Sequence, residues 1–133
     1  MEAGLKAAVT YAAIVGGGGF IGAMARYLLS GLVQRQMPLT TFPVGTLAVN
    51  LLGCLIIGLL SGLAEARQLF GPEFRMFALI GILGGFTTFS TFGFETFAML
   101  RDAEYLRAAT NVGVHLVAGV GLVWLGYGLT AGR

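Results

Sequence analysis

Apolar residues run along the chain in four long segments separated by short polar breaks. The segments cover about residues 7–33, 44–64, 76–100 and 108–129. Each is long enough for the roughly 20 residues with which a helix crosses the hydrocarbon core of a bilayer. The breaks, "QRQMPLTTFP", "EARQLFGPEFR" and "RDAEYLR", carry proline, glycine and charge. The pattern predicts an all-α membrane protein in which residues 1–133 form a single four-helix transmembrane domain.

Composition agrees with a membrane protein and excludes several functions. Of the 133 residues 56% are hydrophobic and 11% are charged, whereas a soluble domain has about 25% charged residues. The net charge of +2 is too small and scattered to indicate a nucleic-acid partner. Lys6 followed by an apolar stretch faintly resembles a signal peptide, but we expect a retained helix. The single cysteine, Cys54, cannot form an internal disulfide and is expected to pack as a small apolar side chain.

The third segment contains the stretch "GGFTTFSTF", residues 84–92, which is poor material for a continuous helix. Gly84 and Gly85 weaken the helix, and four hydroxyl side chains offer its backbone other partners. Non-helical backbone is tolerated at membrane depth only where it is buried in protein or lines a polar cavity. We therefore predict a broken third helix, whose freed carbonyl groups suit a hard cation of low charge such as a structural Na⁺.

Three phenylalanines, Phe86, Phe89 and Phe92, recur in that stretch at a spacing of three. This spacing predicts that they lie along one side of the helix that resumes after the break. Such a stripe is usually packing. However, the edge of an aromatic ring is electropositive, so these rings can also face an anion without a formal charge.

Polar residues inside apolar segments are costly and mark candidate functional positions. They are Arg26, Thr46, Asn50, the run from Thr87 to Thr91, Glu95, Asn111 and His115. Each one can instead be a hydrogen-bonding link between helices. A proton-coupled cation exporter needs a buried acid near the centre of the membrane, and Glu95 is the only acid of these segments, so this function is disfavoured. Arginine, amide and hydroxyl donors suit an anion instead.

Enzyme signatures do not emerge from the sequence. There is one histidine and one cysteine, and neither H-E-x-x-H nor G-x-S-x-G occurs. The G-x-G-x-x-G pattern at Gly17, Gly19 and Gly22 lacks the preceding strand and the acidic residue about 20 positions on that a dinucleotide site needs. We expect a protein that is not an enzyme.

Charges in the flanks give no orientation. One side carries Lys6, Arg67, Arg75 and Arg133; the other carries Arg35, Arg101 and Arg107, with Arg26 inside the first helix towards that end. Because the Lys and Arg bias sets orientation, a near-equal count is compatible with insertion in both directions. The alternative is that a single residue decides.

Glycines spaced four apart occur on three of the four predicted helices. The pairs are Gly18 and Gly22, Gly58 and Gly62, and Gly81 and Gly85. Such small-xxx-small pairs let helix backbones approach closely. They predict a tightly packed, oligomeric bundle, and a transport function favours a dimer or larger assembly.

Three stretches together resemble the Fluc/CrcB family of fluoride channels. "GGGGFIGAMARY" (16–27) is similar to the first-helix signature of the family, "GTLAVNLLGCLIIG" (45–58) to the second, and "GILGGFTTFSTFGFE" (81–95) to the third, which is the most specific. The resemblance implies a fluoride-specific channel that exports F⁻ passively and protects against its toxicity. It also implies an antiparallel dual-topology homodimer in the bacterial inner membrane.

The resemblance also implies roles for individual residues. Backbone carbonyls of Gly84 and Thr87 from both subunits would hold a central Na⁺. The implied fluoride pathway comprises Phe89, Phe92, Asn50, Thr46, Ser90, Thr91, Glu95 and Arg26, the last near a vestibule. On the fourth helix the corresponding face shows Asn111 and His115, where the family tends to have serine, tyrosine or asparagine. If His115 lines the pathway, conduction gains pH dependence, because histidine changes charge near neutral pH.

Two other functions compete with the channel. A small dual-topology multidrug/proton exporter would need an acid in the first, second or fourth helix, and none is present there. A non-transporting assembly subunit would show no anion flux in liposomes.

Overall fold

Four helical spans make up the part of the chain that the computed structural model describes, residues 1–67 and 70–132, and no β-strand occurs in it. Helix α1 covers Glu2–Gln36, α2 covers Val44–Arg67, the third span covers Pro72–Arg101, and the last helix covers Tyr105–Thr130. All four are long and apolar enough to cross a membrane. The predicted all-α architecture with four membrane helices is therefore confirmed.

The helices extend beyond the apolar segments that predicted them. α1 begins five residues earlier than expected, at Glu2, where Lys6 pairs with the Glu2 carboxylate at 3.0 Å one turn apart. Such i, i+4 pairs support polar helix ends that apolarity alone does not reveal. Arg133, counted in the charge balance, lies outside the described residues, as does the side chain of Arg67.

The third span is divided in two. Its first part, α3 (72–86), consists of a turn at Pro72–Arg75, a π-helical segment at Met76–Leu83 and a last turn at Gly84–Phe86. Thr87 and Thr88 are extended, with φ/ψ of −87°/157° and −148°/115°. Helix α4 then covers Phe89–Arg101. The chain thus contains the predicted break.

The break lies two residues later than the glycines suggested. Gly84 and Gly85 remain helical. A Cβ on Gly85 would lie 2.5 Å from the Gly19 carbonyl oxygen of α1, so this glycine allows close packing. A Cβ on Gly84 would meet nothing within 4 Å. The hydroxyl residues that follow, and not the glycines, interrupt the helix.

Paired glycines are used for packing inside the chain. α1 packs along α3, and α2 packs along the last helix, α5 (Tyr105–Thr130). A Cβ on Gly81 would lie 2.8 Å from the Val15 carbonyl oxygen, and one on Gly126 would lie 2.5 Å from that of Leu55. All three predicted glycine pairs face neighbouring helices of the same chain. They therefore give no support to an interface between chains, contrary to the expectation drawn from them.

A tight turn connects α4 to α5. Ala103 has a positive φ of 59°, and the Glu104 amide donates to the Met99 carbonyl oxygen at 2.8 Å. This six-to-one bond around a left-handed residue is a Schellman cap, which usually has glycine in the place of Ala103. The turn brings α5 back beside α4 and sets the register of their polar residues.

Candidate functional site

Asn50 on α2 bridges the break in the third span. Its Oδ1 accepts from the Thr88 backbone amide at 2.9 Å, and its Nδ2 donates to the Thr88 carbonyl oxygen at 3.1 Å. In an unbroken helix the Thr88 amide would donate to the carbonyl of Gly84, four residues earlier. A side chain from a neighbouring helix has thus replaced a helix hydrogen bond. The amide orientation of Asn50 follows from this pairing, because Oδ1 must face the donor.

Thr91 makes a second diversion of the same kind. Its amide, which would donate to the Thr87 carbonyl in a continuous helix, donates instead to Thr88 Oγ1 at 3.3 Å. Thr88 is therefore the N-cap of α4. Among the described residues, neither the Gly84 carbonyl nor the Thr87 carbonyl accepts a hydrogen bond from the backbone amide four residues later in the chain. These are the two carbonyls that the resemblance assigns to a cation.

A chain of hydrogen bonds continues from Asn50 to α5. Asn50 Nδ2 lies 3.2 Å from His115 Nε2, and His115 Nδ1 lies 2.9 Å from the Asn111 carbonyl oxygen. Asn111 is fully buried and donates from Nδ2 to Thr96 Oγ1 at 2.9 Å. Asn50 and His115 thus belong to one site, whereas the Asn111 side chain links α5 to α4.

The three phenylalanines do not share one side. Phe86 is buried, with 7% of its surface exposed, while Phe89 is 83% exposed. The Phe89 and Phe92 rings lie 5.6 Å apart between centroids, and the Phe92 ring lies 4.4 Å from the His115 ring. The prediction of a single stripe was wrong for Phe86, because two extended residues rotate α4 relative to α3.

The first of two cavities that adjoin the break has a volume of about 410 Å³ and is mostly apolar. Asn50, His115, Phe89 and Phe92 line it, together with Cys54 of α2. Cys54 is half-buried. The cavity therefore combines amide and imidazole groups with two aromatic rings, and the described residues that line it include no Lys, Arg, Asp or Glu.

A second, wider cavity of about 710 Å³ lies on the other side of the break. Arg26, Thr46, Thr91 and Glu95 line it, and Thr88 lines both cavities. The Thr46 hydroxyl donates to Glu95 Oε1 at 2.6 Å, and Glu95 Oε2 is buried without a partner among the described residues. The predicted pathway residues therefore fall into two groups that meet at Thr88.

Two polar residues of the region were missed in the sequence, and one that was predicted lies outside both cavities. Ser90, which was predicted, is exposed on α4 and lines neither cavity. Thr96, which was missed, donates to the Phe92 carbonyl oxygen at 2.8 Å and accepts from Asn111; as a hydroxyl inside a span it met the criterion used for the others. Gln34 lines the wider cavity and accepts from the Gly45 amide at 3.2 Å. Its position near the end of α1 gave no signal.

Comparison with known proteins gives a consistent result. The family model described as CrcB-like protein, Camphor Resistance (CrcB), matches residues 13–127. The fluoride-specific ion channel FluC of Methylobacillus flagellatus is 46% identical over 112 residues, which cover 84% of this chain and 88% of that protein. A protein of the same name from Nitratidesulfovibrio vulgaris (strain Miyazaki F) is 44% identical over 115 residues, covering 86% and 92%. Fluoride-specific ion channel FluC 1 of Methanosarcina acetivorans is 42% identical over 113 residues, covering 85% of each chain.

Proposed function

Because the chain belongs to the CrcB family, we propose that it is a fluoride-specific ion channel, a multi-pass membrane protein and not an enzyme. The observation that carries this proposal is the 44–46% identity with proteins of that name over most of both chains. The site supports it, since its first cavity places amide and aromatic groups together without an acid. An anion passes a dehydrating constriction only where such groups replace its water.

The residues suggest how fluoride is handled along the way. Arg26 gives the wider cavity a positive charge that attracts an anion, and the Thr91 hydroxyl offers a donor beside it. The Thr46 hydroxyl, in contrast, donates to the Glu95 carboxylate, which also lines this cavity. Beyond Thr88, Asn50 and the edges of Phe89 and Phe92 take over in the narrower cavity. Ser90 lies on the exposed side of α4, so its role in the pathway depends on a second chain.

Passive export follows from the chemistry of fluoride. Fluoride enters a cell as neutral HF and dissociates in the less acidic cytoplasm, where the F⁻ ion is trapped. A channel in the cytoplasmic (inner) membrane lets that ion leave down its gradient and protects the cell. A multidrug/proton exporter is not favoured, since the relatives are named ion channels.

A structural Na⁺ is part of the proposal. The released carbonyls of Gly84 and Thr87 are oxygen ligands of the kind that hard cations prefer. In the described residues, 1–67 and 70–132, no group of three or more His, Cys, Asp or Glu side chains could hold a metal, and the proposed ligands are the backbone oxygens of the break. The ion would supply positive charge that holds the two halves of an assembly together. Replacing Na⁺ by a larger cation should then weaken fluoride flux at constant fluoride concentration.

We further propose that two chains form an antiparallel homodimer. The near-equal flanking charges support insertion in both directions, and two carbonyls from each chain would complete a four-oxygen cation site on the two-fold axis. The test uses Leu39→Cys, in the exposed loop between α1 and α2, in a Cys54→Ser background. A membrane-impermeant thiol reagent should label about half of the protein from each side. Labelling from one side alone would contradict dual topology.

Fluoride flux from liposomes tests the channel directly. Purified protein is reconstituted with KF and a fixed, low concentration of a sodium salt inside, so that Na⁺ is present throughout; valinomycin is added, and fluoride release is followed with a fluoride electrode. We expect fast release that protein-free liposomes do not show, and much slower release when chloride replaces fluoride and a chloride electrode is used. No release above that of empty liposomes would contradict the proposal and favour a non-transporting subunit.

A further inference from the structure

The hydrogen bonds around His115 define the protonation state of its ring. The Asn111 carbonyl oxygen can only accept, so His115 Nδ1, 2.9 Å away, carries a hydrogen. In the neutral ring Nε2 then has a lone pair, which accepts from Asn50 Nδ2 at 3.2 Å. The neutral imidazole is thus held as the Nδ1–H tautomer with its acceptor directed at the amide of Asn50.

This arrangement uses all the donors of Asn50. One hydrogen of Nδ2 goes to the Thr88 carbonyl oxygen and the other to His115 Nε2. Oδ1 faces the Thr88 amide, so the side chain cannot turn over without placing Nδ2 against a donor. With a neutral His115, neither residue offers a free N–H to an anion in the cavity.

Protonation reverses this condition. An imidazolium has a hydrogen on both nitrogens and no acceptor. His115 Nε2 then repels the hydrogen of Asn50 that it had accepted. Asn50 Nδ2 regains a free hydrogen, and Nε2–H becomes a second donor that carries positive charge. Charge-assisted hydrogen bonds of this kind are about twice as strong as neutral ones.

No carboxylate of the described cavity lining can act as a counter-ion to a protonated His115 ring. Among the described residues that line the cavity, two are titratable: His115 on α5 and Cys54 on α2. The lining residues of α3 and α4 include no titratable group. Arg26 and Glu95 line the wider cavity across the break. An imidazolium in this lining therefore lacks a carboxylate beside it, and a small anion can fill that place.

We propose that His115 and Asn50 form a proton-dependent anion site, in which protonation of the imidazole exposes the two donors that bind fluoride. The inference rests on the proposed channel function and adds its regulation. Since the anion favours the charged ring, fluoride and a proton bind cooperatively. Fluoride conduction accordingly increases as the pH falls through the titration of the ring.

The first test measures liposome flux between pH 8 and pH 5.5 at equal concentrations of free F⁻, with the leak through protein-free liposomes subtracted. We expect wild-type flux to rise about tenfold or more over this range, and His115→Gln, which keeps a polar amide without titrating, to be flat. Cys54→Ser, which removes the other titratable group of the cavity, should keep the pH response. A pH response that survives in His115→Gln would overturn the inference.

The second test needs no variant, because His115 is the only histidine of the chain. The protein is labelled with ¹⁵N-histidine, purified with a tag that contains no histidine, and its ring nitrogens are observed by NMR. At pH 8 we expect a protonated Nδ1 and an unprotonated Nε2. Addition of NaF, but not of NaCl, should move the midpoint of the ring titration to higher pH. The opposite tautomer, or an unchanged midpoint, would contradict the inference.

The two proposals fail in different ways. If the wild type passes no fluoride at any pH, the channel function is wrong and this inference falls with it. If the wild type conducts equally at pH 8 and pH 5.5, the channel stands and the proton-dependent site is wrong.

Discussion

Asn50 has both a structural and a chemical task at the break. Its amide receives the Thr88 N–H that leaves the helix and donates to the Thr88 carbonyl. The same amide nitrogen reaches His115 in the cavity. A buried amide with these contacts is both a link between helices and a donor at the site, so the two interpretations offered by the sequence are not exclusive.

Changing Asn50 to aspartate separates the donor from the acceptor. Asn50→Asp keeps an oxygen for the Thr88 amide but places a second oxygen where Nδ2 faces the Thr88 carbonyl and His115. Hydrogen bonds to charged groups contribute about 1.5–3 kcal/mol, so we expect fluoride flux in liposomes to fall by roughly 10- to 100-fold. Gln36→Glu makes the same chemical change at the exposed end of α1 and should conduct normally. Undiminished flux in Asn50→Asp would leave this residue as a structural link only.

Phe89 and Phe92 should respond differently to the same substitution. Isoleucine removes the electropositive ring edge at either position, so fluoride flux should fall in both variants. Phe92 packs against His115 at 4.4 Å, whereas Phe89 is 83% exposed. We therefore expect only Phe92→Ile to destabilise the chain, by about 1 kcal/mol, seen as a lower unfolding temperature in detergent. Phe97→Ile, at an exposed phenylalanine of α4 outside both cavities, is the control; a similar flux loss there would show that the effect is not specific.

At the level of helices, apolar length and hydroxyl content were sufficient to predict four spans and one break. The sequence could not show which way α4 turns after the break, because two extended residues change the phase of the 3.6-residue repeat. Phe86 therefore lies in the core although its spacing to Phe89 matched a stripe. The π-helical winding of Met76–Leu83 was also not predictable, since it concerns which carbonyl each amide bonds and leaves the apolar pattern unchanged.

The turn between α4 and α5 offers a test of element-level strain. Ala103 is the non-glycine residue with positive φ in the described chain, at 59°. A left-handed conformation costs an ordinary L-residue about 1–2 kcal/mol. Glycine avoids this cost, but its unfolded chain has greater entropy, which offsets part of the gain in stability. We expect Ala103→Gly to raise stability by about 0.5–1 kcal/mol, measured as a higher apparent unfolding temperature.

A matched substitution inside α5 should have the opposite sign. Ala109 is exposed in the helix, and Ala109→Gly should lower stability by about 1 kcal/mol because of the poor helix propensity of glycine. Equal effects of the two substitutions would contradict a strained turn.

For the whole molecule, the structure shows which residues of the sequence motifs come together, whereas the assembly of chains stays a prediction. The three motifs named residues that meet around Thr88, because the polar groups of a membrane protein must find partners inside the bundle. The glycine pairs were misleading as evidence of oligomers, since close packing between helices of one chain needs the same pairs as packing between chains. Only contacts such as that of Gly81 with Val15 distinguish the two uses.

Gly84 provides the sharpest test of the assembly. A Cβ there would meet nothing within 4 Å in its own chain, and valine has a better helix propensity than glycine. Gly84→Val should therefore leave the fold of each chain intact, with unchanged helical content by circular dichroism.

If the Gly84 carbonyls of two chains share a Na⁺, the new side chain would keep the chains apart. The variant should then elute as a monomer in size-exclusion chromatography with light scattering, and its fluoride flux should be lost. Gly128→Val, at another uncrowded helical glycine near the end of α5, should remain dimeric. A Gly84→Val protein that dimerises and conducts like the wild type would show that this surface faces lipid, and that the released carbonyls serve some purpose other than a shared cation.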